Sequence, residues 1–179
     1  MSFRIYCAVS LDGFIADHQG GVAWLDAFHD VDYGYTSFLA SVNTVVMGRK
    51  SYELARSFGA WEYTGKRSIV LTTQTLTDLP PDVETTPGPV DMLARELRKN
   101  ARGDVWIMGG GQVMGAFLDA GAVDDIELYV IPIALGRGVP LFSSAGQPAV
   151  LKLLDHHRFT NGVVRTRYMF VGHASTSSA

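Results

Sequence analysis

The sequence of 179 residues lacks the marks of several protein classes. It has a single cysteine, Cys7, which excludes an internal disulfide framework and a zinc site built from several cysteines. Charged residues make up only 18% and the net charge is −3, so no basic surface for nucleic acid is indicated. No uncharged stretch reaches the ~18 apolar residues of a transmembrane helix. We therefore expect a cytoplasmic protein that binds neither nucleic acid nor membranes.

The sequence does contain enough apolar side chains for one core. These residues make up 47% of the chain, and no linker or internal repeat divides it, so we expect one domain over residues 1–173. Residues 174–179 are small and polar, which predicts a flexible tail. No spacing of His, Asp or Glu suggests a metal site, since His156 and His157 would point to opposite faces of a strand.

Apolar patterns along the chain predict strands and helices in alternation. Short runs with period two or with continuous β-branched character predict strands at 3–9, 44–47, 68–71 and 105–108. Helical spacing predicts helices at about 30–41, 49–57, 90–100 and 112–119. The last third predicts strands alone, with Asn161-Gly162 as a hairpin turn. This order favours an α/β fold in which a parallel sheet is extended by an antiparallel C-terminal hairpin.

The second predicted strand ends in residues that suit a ligand. In an open α/β sheet, ligands bind beyond the carboxyl ends of the strands. Gly48 allows close approach of the backbone, and the helix predicted at Arg49 offers N–H groups to an anion. Arg49 and Lys50, followed by Ser51, suit a phosphate. An ordinary helix start with solvated cations explains the same residues about equally well.

The ends of two further predicted strands also carry residues that suit a ligand. The indication is weak after strand 68–71 and stronger after strand 105–108. In Leu71-Thr72-Thr73 the two threonine hydroxyls can bind a phosphate, although capping the next turn is their commoner role. The segment Gly109-Gly110-Gly111-Gln112-Val113 has more glycine than a turn needs, and each glycine costs backbone entropy. Successive amides at a helix start form a concave anion site. A pyrophosphate site is therefore favoured there over a purely structural turn.

Taken together, these motifs resemble the dihydrofolate reductase-like family, and in particular the reductase domain of the riboflavin-biosynthesis deaminase-reductase. The resemblance runs from VSLDGFIA at 9–16 to Tyr168 and depends mainly on VMGRKSYE at 46–53 and IMGGGQV at 107–113. LGRGVPLF at 135–142 is similar to the riboflavin branch. The resemblance implies a three-layer α/β fold with an eight-stranded, mostly parallel sheet and helices on both faces. It also implies NADPH as cofactor and hydride transfer to a C=N bond.

The same resemblance implies a cofactor role for fifteen residues by position. The implied contacts are Ala8, Ile15 and Ala16 for the nicotinamide; Gly48, Arg49, Lys50 and Ser51 for the adenosine phosphates; Leu71, Thr72 and Thr73 for the adenosine side; and Gly109, Gly110, Gly111, Gln112 and Val113 for the pyrophosphate. Arg49 and Lys50 would select NADPH over NADH through its 2′-phosphate. A cis peptide would join Gly109 and Gly110.

The catalytic carboxylate implied by the resemblance is Asp32. It lies fifteen residues before Met47 of the Met-Gly-Arg motif, the spacing found in dihydrofolate reductase. Trp24 and Phe38 would form apolar walls of the substrate site. In such a pocket Asp32 would hold a proton or accept a hydrogen bond from an aminopyrimidine. A role as helix N-cap is equally open.

Residues expected to hold the substrate depart from both named branches. Residues 53–58 read ELARSF in place of the Asp-Asn-Pro-x-Leu-like stretch and following arginine with which the riboflavin enzymes hold a ribosyl phosphate. The arginine that grips the folate glutamate is not evident either. We expect a reductase of a pterin-like, folate-like or aminopyrimidine substrate; the alternative is a non-catalytic NADPH-binding module. An unpaired edge at the C-terminal hairpin favours a homodimer.

Overall fold

Strands and helices alternate along the first two-thirds of the chain in the computed structural model, which describes residues 1–100, 102–143 and 145–173. The tail predicted at 174–179 lies outside these residues. The strands are β1 (Phe3–Ser10), β2 (Phe14–Asp17), β3 (Val42–Gly48), β4 (Arg67–Leu71), β5 (Val83–Thr86), β6 (Asp104–Gly109), β7 (Asp125–Ile131), β8 (Gly138–Pro140), β9 (Ala149–Arg158) and β10 (Val164–His173). The helices are α1 (Tyr35–Ser41), α2 (Arg49–Ser57), α3 (Val90–Asn100) and α4 (Gly111–Asp119), with a 3₁₀ helix at Ala23–Phe28. Among the described residues, no helix is long and apolar enough to cross a membrane.

Eight strands form one sheet in the order β5-β4-β3-β6-β1-β7-β10-β9. The pairs from β5 to β7 are all parallel. Strand β10 runs antiparallel to both β7 and β9. The predicted mostly parallel, eight-stranded sheet with an antiparallel C-terminal hairpin is therefore confirmed.

Apolar side chains fill the space on both faces of this sheet. Phe117 of α4 and Leu97 of α3 pack with Ile107 of β6 on one face, all fully buried. Trp106, the neighbour of Ile107, points to the other face and packs with Phe38 of α1 and with α2. Burial of each large apolar side chain contributes roughly 1.5–3 kcal/mol. These two cores confirm the three-layer arrangement with helices on both faces.

A second, two-stranded sheet was not expected from the sequence. Strands β2 and β8 pair antiparallel, with Ala16 in register with Val139. The Asp12 carboxylate beside them accepts hydrogen bonds from Ser10 Oγ (2.6 Å), Leu135 N (3.0 Å) and Gly136 N (2.7 Å). These contacts hold the chain after β1 against the chain after β7, which places β2 beside the carboxyl end of β1.

Helix α1 is shorter than its predicted range of about 30–41. It begins at Tyr35 because Gly34, its N-cap, has a φ of 79°, a left-handed conformation that ends the preceding turn. Asp32 therefore precedes the helix instead of standing at its head.

Candidate functional site

The carboxyl ends of β1, β3, β4 and β6 open onto one cavity of about 990 Å³. This volume is at the upper end of the ~300–1,000 Å³ typical of ligand sites. Strands β3 and β6 are neighbours, with Met47 in register with Gly109. The helices that follow them, α2 and α4, both begin at this edge. Their N-terminal N–H groups and positive dipole ends therefore lie beside the cavity, which favours an anion there.

Glycines stand at both helix starts and bring the two backbones close together. Gly48 is the N-cap of α2 and Gly110 the N-cap of α4. A Cβ on Gly48 would lie 3.3 Å from Val113 Cγ2 and 3.9 Å from Gly109 O. A Cβ on Gly110 would lie 3.7 Å from Ser51 Oγ and 3.9 Å from Ile15 Cδ1. Any side chain here would occupy the gap between the two helix starts.

The peptide bond between Gly109 and Gly110 is cis, as the resemblance implied. Gly109 itself is buried and does not line the cavity, and a Cβ on it would lie 3.2 Å from Met114 Cε. Gly111 has no room for a side chain, because a Cβ would lie 2.1 Å from Pro140 O. The triglycine bend is thus packed on one side by β6 and α4 and open to the cavity on the other.

Two cations begin α2 at the rim of the cavity. Arg49 is half-buried and forms an ion pair with Glu53, one turn further along α2. Lys50 is exposed. At the neighbouring strand end, Thr72 Oγ1 accepts a hydrogen bond from Gln74 N (3.0 Å). The Thr72 hydroxyl therefore caps the turn, the commoner of its two predicted roles, while the residue still lines the cavity.

The structure brings together all the residues predicted to contact the cofactor except Gly109. Those that line the cavity are Ala8, Ile15, Ala16, Gly48, Arg49, Lys50, Ser51, Leu71, Thr72, Thr73, Gly110, Gly111, Gln112 and Val113. Residues from five separate segments of the chain thus surround one space.

The three predicted substrate-binding residues do not line this cavity. Asp32 is exposed, and its Oδ1 accepts a hydrogen bond from Gly34 N (2.7 Å), as a turn-capping side chain does. Phe38 is buried and stacks on Tyr6 with ring centroids 4.1 Å apart. Trp24 lies in the 3₁₀ helix, and its Nε1 is buried without a hydrogen-bond partner among the described residues.

Aromatic residues that belong to no predicted site motif line the part of the cavity next to β1. They are Tyr6, Tyr35, Tyr63 and Trp106, with Glu62 beside them. One signal was available: Tyr6 shares a strand face with Ala8, which was selected. Glu62 and Tyr63 lie between α2 and β4, where no periodic pattern marks them.

Burial raises the pKa values of three tyrosines and of Cys7 in this part of the cavity. It raises the pKa of Tyr63 to about 12 and that of Tyr35 well above its usual range. The pKa of Tyr6 is also raised, mainly by burial and to a smaller extent by the charges of Glu127 and Asp32. Burial raises the pKa of the Cys7 thiol, in the cavity wall, to about 12. At neutral pH these groups are uncharged hydrogen-bond donors.

The sheet order and the cavity at the strand ends define a dihydrofolate reductase-like α/β protein. Within that class, the family model of the RibD C-terminal domain matches residues 3–165. The chain belongs to the RibD C-terminal domain family.

Relatives from bacteria match almost the whole chain. Two Bacillus subtilis (strain 168) proteins, both named as uncharacterized, are similar: YyaP is 30% identical over 92% of this chain and 93% of its own, and YwjB is 32% identical over 89% and 92%. The solved structure of a Shewanella sp. PV-4 protein described as a riboflavin biosynthesis protein is also similar, with a TM-score of 0.84 at 28% identity. The match covers 96% of this chain and 99% of the Shewanella chain.

A bifunctional enzyme shares the fold at lower identity. The Thermotoga maritima diaminohydroxyphosphoribosylaminopyrimidine deaminase/5-amino-6-(5-phosphoribosylamino)uracil reductase has a TM-score of 0.72 at 19% identity. The match covers 95% of this chain but 57% of the Thermotoga chain. The described domain therefore corresponds in fold to one part of that larger protein.

Proposed function

We propose that the protein is an NADPH-dependent reductase that transfers hydride to a C=N bond of a small pterin-like, folate-like or aminopyrimidine substrate. The observation that carries this proposal is the convergence of two helix starts, one triglycine bend and two cations on a single cavity. An extended dinucleotide with phosphates at two points matches these positions. Membership of the RibD C-terminal domain family supports the reductase class.

The residues present fit NADPH along the length of the cavity. The amides of Gly110 and Gly111 at the start of α4 suit the pyrophosphate, and the gap that a side chain on Gly110 would fill gives it room. Arg49 and Lys50 at the start of α2 suit the 2′-phosphate, which NADH lacks. Ala8, Ile15 and Ala16 form a small, apolar wall that suits the flat nicotinamide ring.

When bound, NADPH would supply the hydride. The chain's own residues would bind the cofactor and hold it in position. The aromatic side chains of Tyr6 and Trp106 line the cavity near Ala8. Asp32, at the exposed turn before α1, stays the predicted source of the proton for the substrate nitrogen.

Two measurements test this function. Tryptophan fluorescence is titrated with NADPH and with NADH, and we expect NADPH to bind at least about 10-fold more tightly, the effect of one charge-assisted contact. Equal affinities would contradict the role of Arg49 and Lys50. Loss of absorbance at 340 nm is then followed with pterins, dihydrofolate and aminopyrimidine ribosides.

One observation favours the second candidate, a non-catalytic NADPH-binding module. Asp32 is exposed and outside the cavity lining, and it caps the turn at Gly34. This candidate predicts tight NADPH binding, no oxidation with any compound of the screen, and no measurable change in Asp32→Asn. Turnover that falls in Asp32→Asn while NADPH affinity is kept would support the reductase and reject the module.

We also propose that the protein forms a homodimer through the β9–β10 hairpin. Strand β9 is an edge strand, and five large apolar side chains of the hairpin are at least 40% exposed: Val150, Leu153, Leu154, Met169 and Val171. Exposed apolar patches of this kind mark interfaces. Light scattering on a sizing column is expected to give twice the chain mass of 19.5 kDa, and Leu153→Lys is expected to give the monomer.

A further inference from the structure

One end of the cavity is an aromatic chamber, formed by Tyr6, Tyr35, Tyr63 and Trp106. The Tyr35 ring lies 6.2 Å from that of Tyr6 and 6.1 Å from that of Trp106, and the Tyr63 ring lies 5.7 Å from that of Trp106. The four rings come from β1, α1, the segment before β4, and β6. Tyr63 and Trp106 are buried, whereas Tyr6 and Tyr35 are half-buried and keep part of their rings accessible from the cavity. Contacts with these accessible parts favour a flat, unsaturated ligand.

Glu62 supplies the negative charge of this chamber. Among the described residues that line the cavity, Glu62 is the one carboxylate, and the cations are Arg49 and Lys50 at the start of α2. The Tyr35 hydroxyl donates a hydrogen bond to Glu62 Oε1 (2.9 Å). A carboxylate has about four acceptor positions, so one bond from Tyr35 orients it and leaves capacity for a ligand with adjacent N–H groups.

We propose that Glu62, oriented by Tyr35, is the substrate-recognising carboxylate of the chamber and selects a planar, amino-substituted heterocycle without a phosphate. The inference rests on the proposed function, because NADPH would occupy the adjoining part of the cavity. Paired N–H groups of an aminoheterocycle match the carboxylate, and its flat ring matches the half-buried rings of Tyr6 and Tyr35.

The charge arrangement argues against a phosphorylated substrate. Arg49 and Lys50 lie where the proposed NADPH phosphates bind, and a phosphate in the chamber would instead meet Glu62. Glu62 is exposed, and its negative charge would repel a phosphate placed beside it. A phosphoribosyl group therefore has no matching partner among the described residues of the chamber.

Equilibrium binding of two pyrimidines tests the role of Glu62. The protein is saturated with NADP⁺, and 2,4-diaminopyrimidine and 2,4-dimethylpyrimidine are titrated by calorimetry into wild type, Glu62→Gln and Tyr35→Phe. The dimethyl compound has the same shape without N–H donors. Glu84→Gln is the matched control, since Glu84 is exposed on β5, pairs with Arg67 (2.6 Å) and does not line the cavity.

We expect Glu62→Gln to weaken the diamino compound about 10- to 100-fold, the range for a hydrogen bond to a charged group. The dimethyl compound is expected to change less than about 2-fold. Tyr35→Phe is expected to weaken the diamino compound about 3- to 10-fold, since it removes the hydrogen bond that orients the carboxylate but leaves the carboxylate itself. Glu84→Gln is expected to match wild type. Cytosine is expected to bind at least as tightly as cytidine 5′-monophosphate.

Four results would overturn the proposal. They are no binding of the diamino compound to wild type, equal binding to wild type and Glu62→Gln, equal loss of both pyrimidines in Glu62→Gln, and tighter binding of the phosphorylated cytidine. Equal loss would show that Glu62 only shapes the chamber. Failure of wild type to bind NADPH would contradict the proposed function instead, and the same titrations without NADP⁺ then decide the role of Glu62.

Discussion

Substitution of Gly110 by alanine is expected to weaken the proposed cofactor site while leaving the stability of the fold nearly unchanged. The new Cβ would lie 3.7 Å from Ser51 Oγ and 3.9 Å from Ile15 Cδ1, which are ordinary van der Waals distances. The φ of −69° at Gly110 is open to alanine. We therefore expect the free energy of unfolding to stay within about 1 kcal/mol of wild type.

The same methyl group would occupy the gap between the starts of α2 and α4. A pyrophosphate held there would lose at least one hydrogen bond between a charged oxygen and an amide, a loss of about 1.5–3 kcal/mol. The dissociation constant for NADPH is therefore expected to rise about 10- to 100-fold.

Gly111→Ala is the comparison variant. A Cβ there would lie 2.1 Å from Pro140 O and 2.4 Å from Ser143 Oγ, so the backbone itself must move. We expect this variant to lose at least about 2 kcal/mol of stability. Fluorescence titration with NADPH and urea denaturation are measured on both variants. A Gly110→Ala protein with wild-type stability and wild-type NADPH affinity would refute the reasoning.

Three other predictions follow from the site. Lys50→Ala is expected to reduce the preference for NADPH over NADH about 10-fold with little change for NADH; a fall for both cofactors alike in fluorescence titration would contradict a 2′-phosphate contact. Burial raises the pKa of the Cys7 thiol to about 12, so at pH 8 the folded protein is expected to react with Ellman's reagent far more slowly than the urea-unfolded protein, and equal rates would contradict this. Burial also raises the pKa of Tyr63 to about 12, so between about pH 10 and 12 the folded state keeps a proton that the unfolded state has lost. Stability measured by urea denaturation is expected to fall over that range and to fall less in Tyr63→Phe; the same slope in both proteins would contradict it.

Local patterns were enough to predict most of the fold. Helices α2 and α3 have the predicted bounds, because their apolar spacing and the residues that start them lie within one segment. The pairing of β2 with β8 could not be predicted in this way. It joins Phe14–Asp17 to Gly138–Pro140, two short segments far apart in the chain, and neither has a strand pattern of its own.

The candidate site shows the same contrast between residues in contiguous motifs and residues that only the fold brings together. Gly48 with Arg49, and the triglycine bend, are contiguous motifs at strand ends, so the sequence located the proposed cofactor side. The aromatic chamber takes one or two side chains from each of four elements, and only the folded sheet brings them together. Glu62 shows the difficulty most clearly, since its partner Tyr35 is 27 positions away and no motif links them.

A crystal structure of the protein with NADP⁺ tests the central claim most directly. The account predicts one extended dinucleotide in the cavity, with pyrophosphate oxygens accepting hydrogen bonds from the amides of Gly110 and Gly111 and the 2′-phosphate paired with Arg49 or Lys50. A dinucleotide bound elsewhere, or one whose phosphates contact neither helix start, would contradict it.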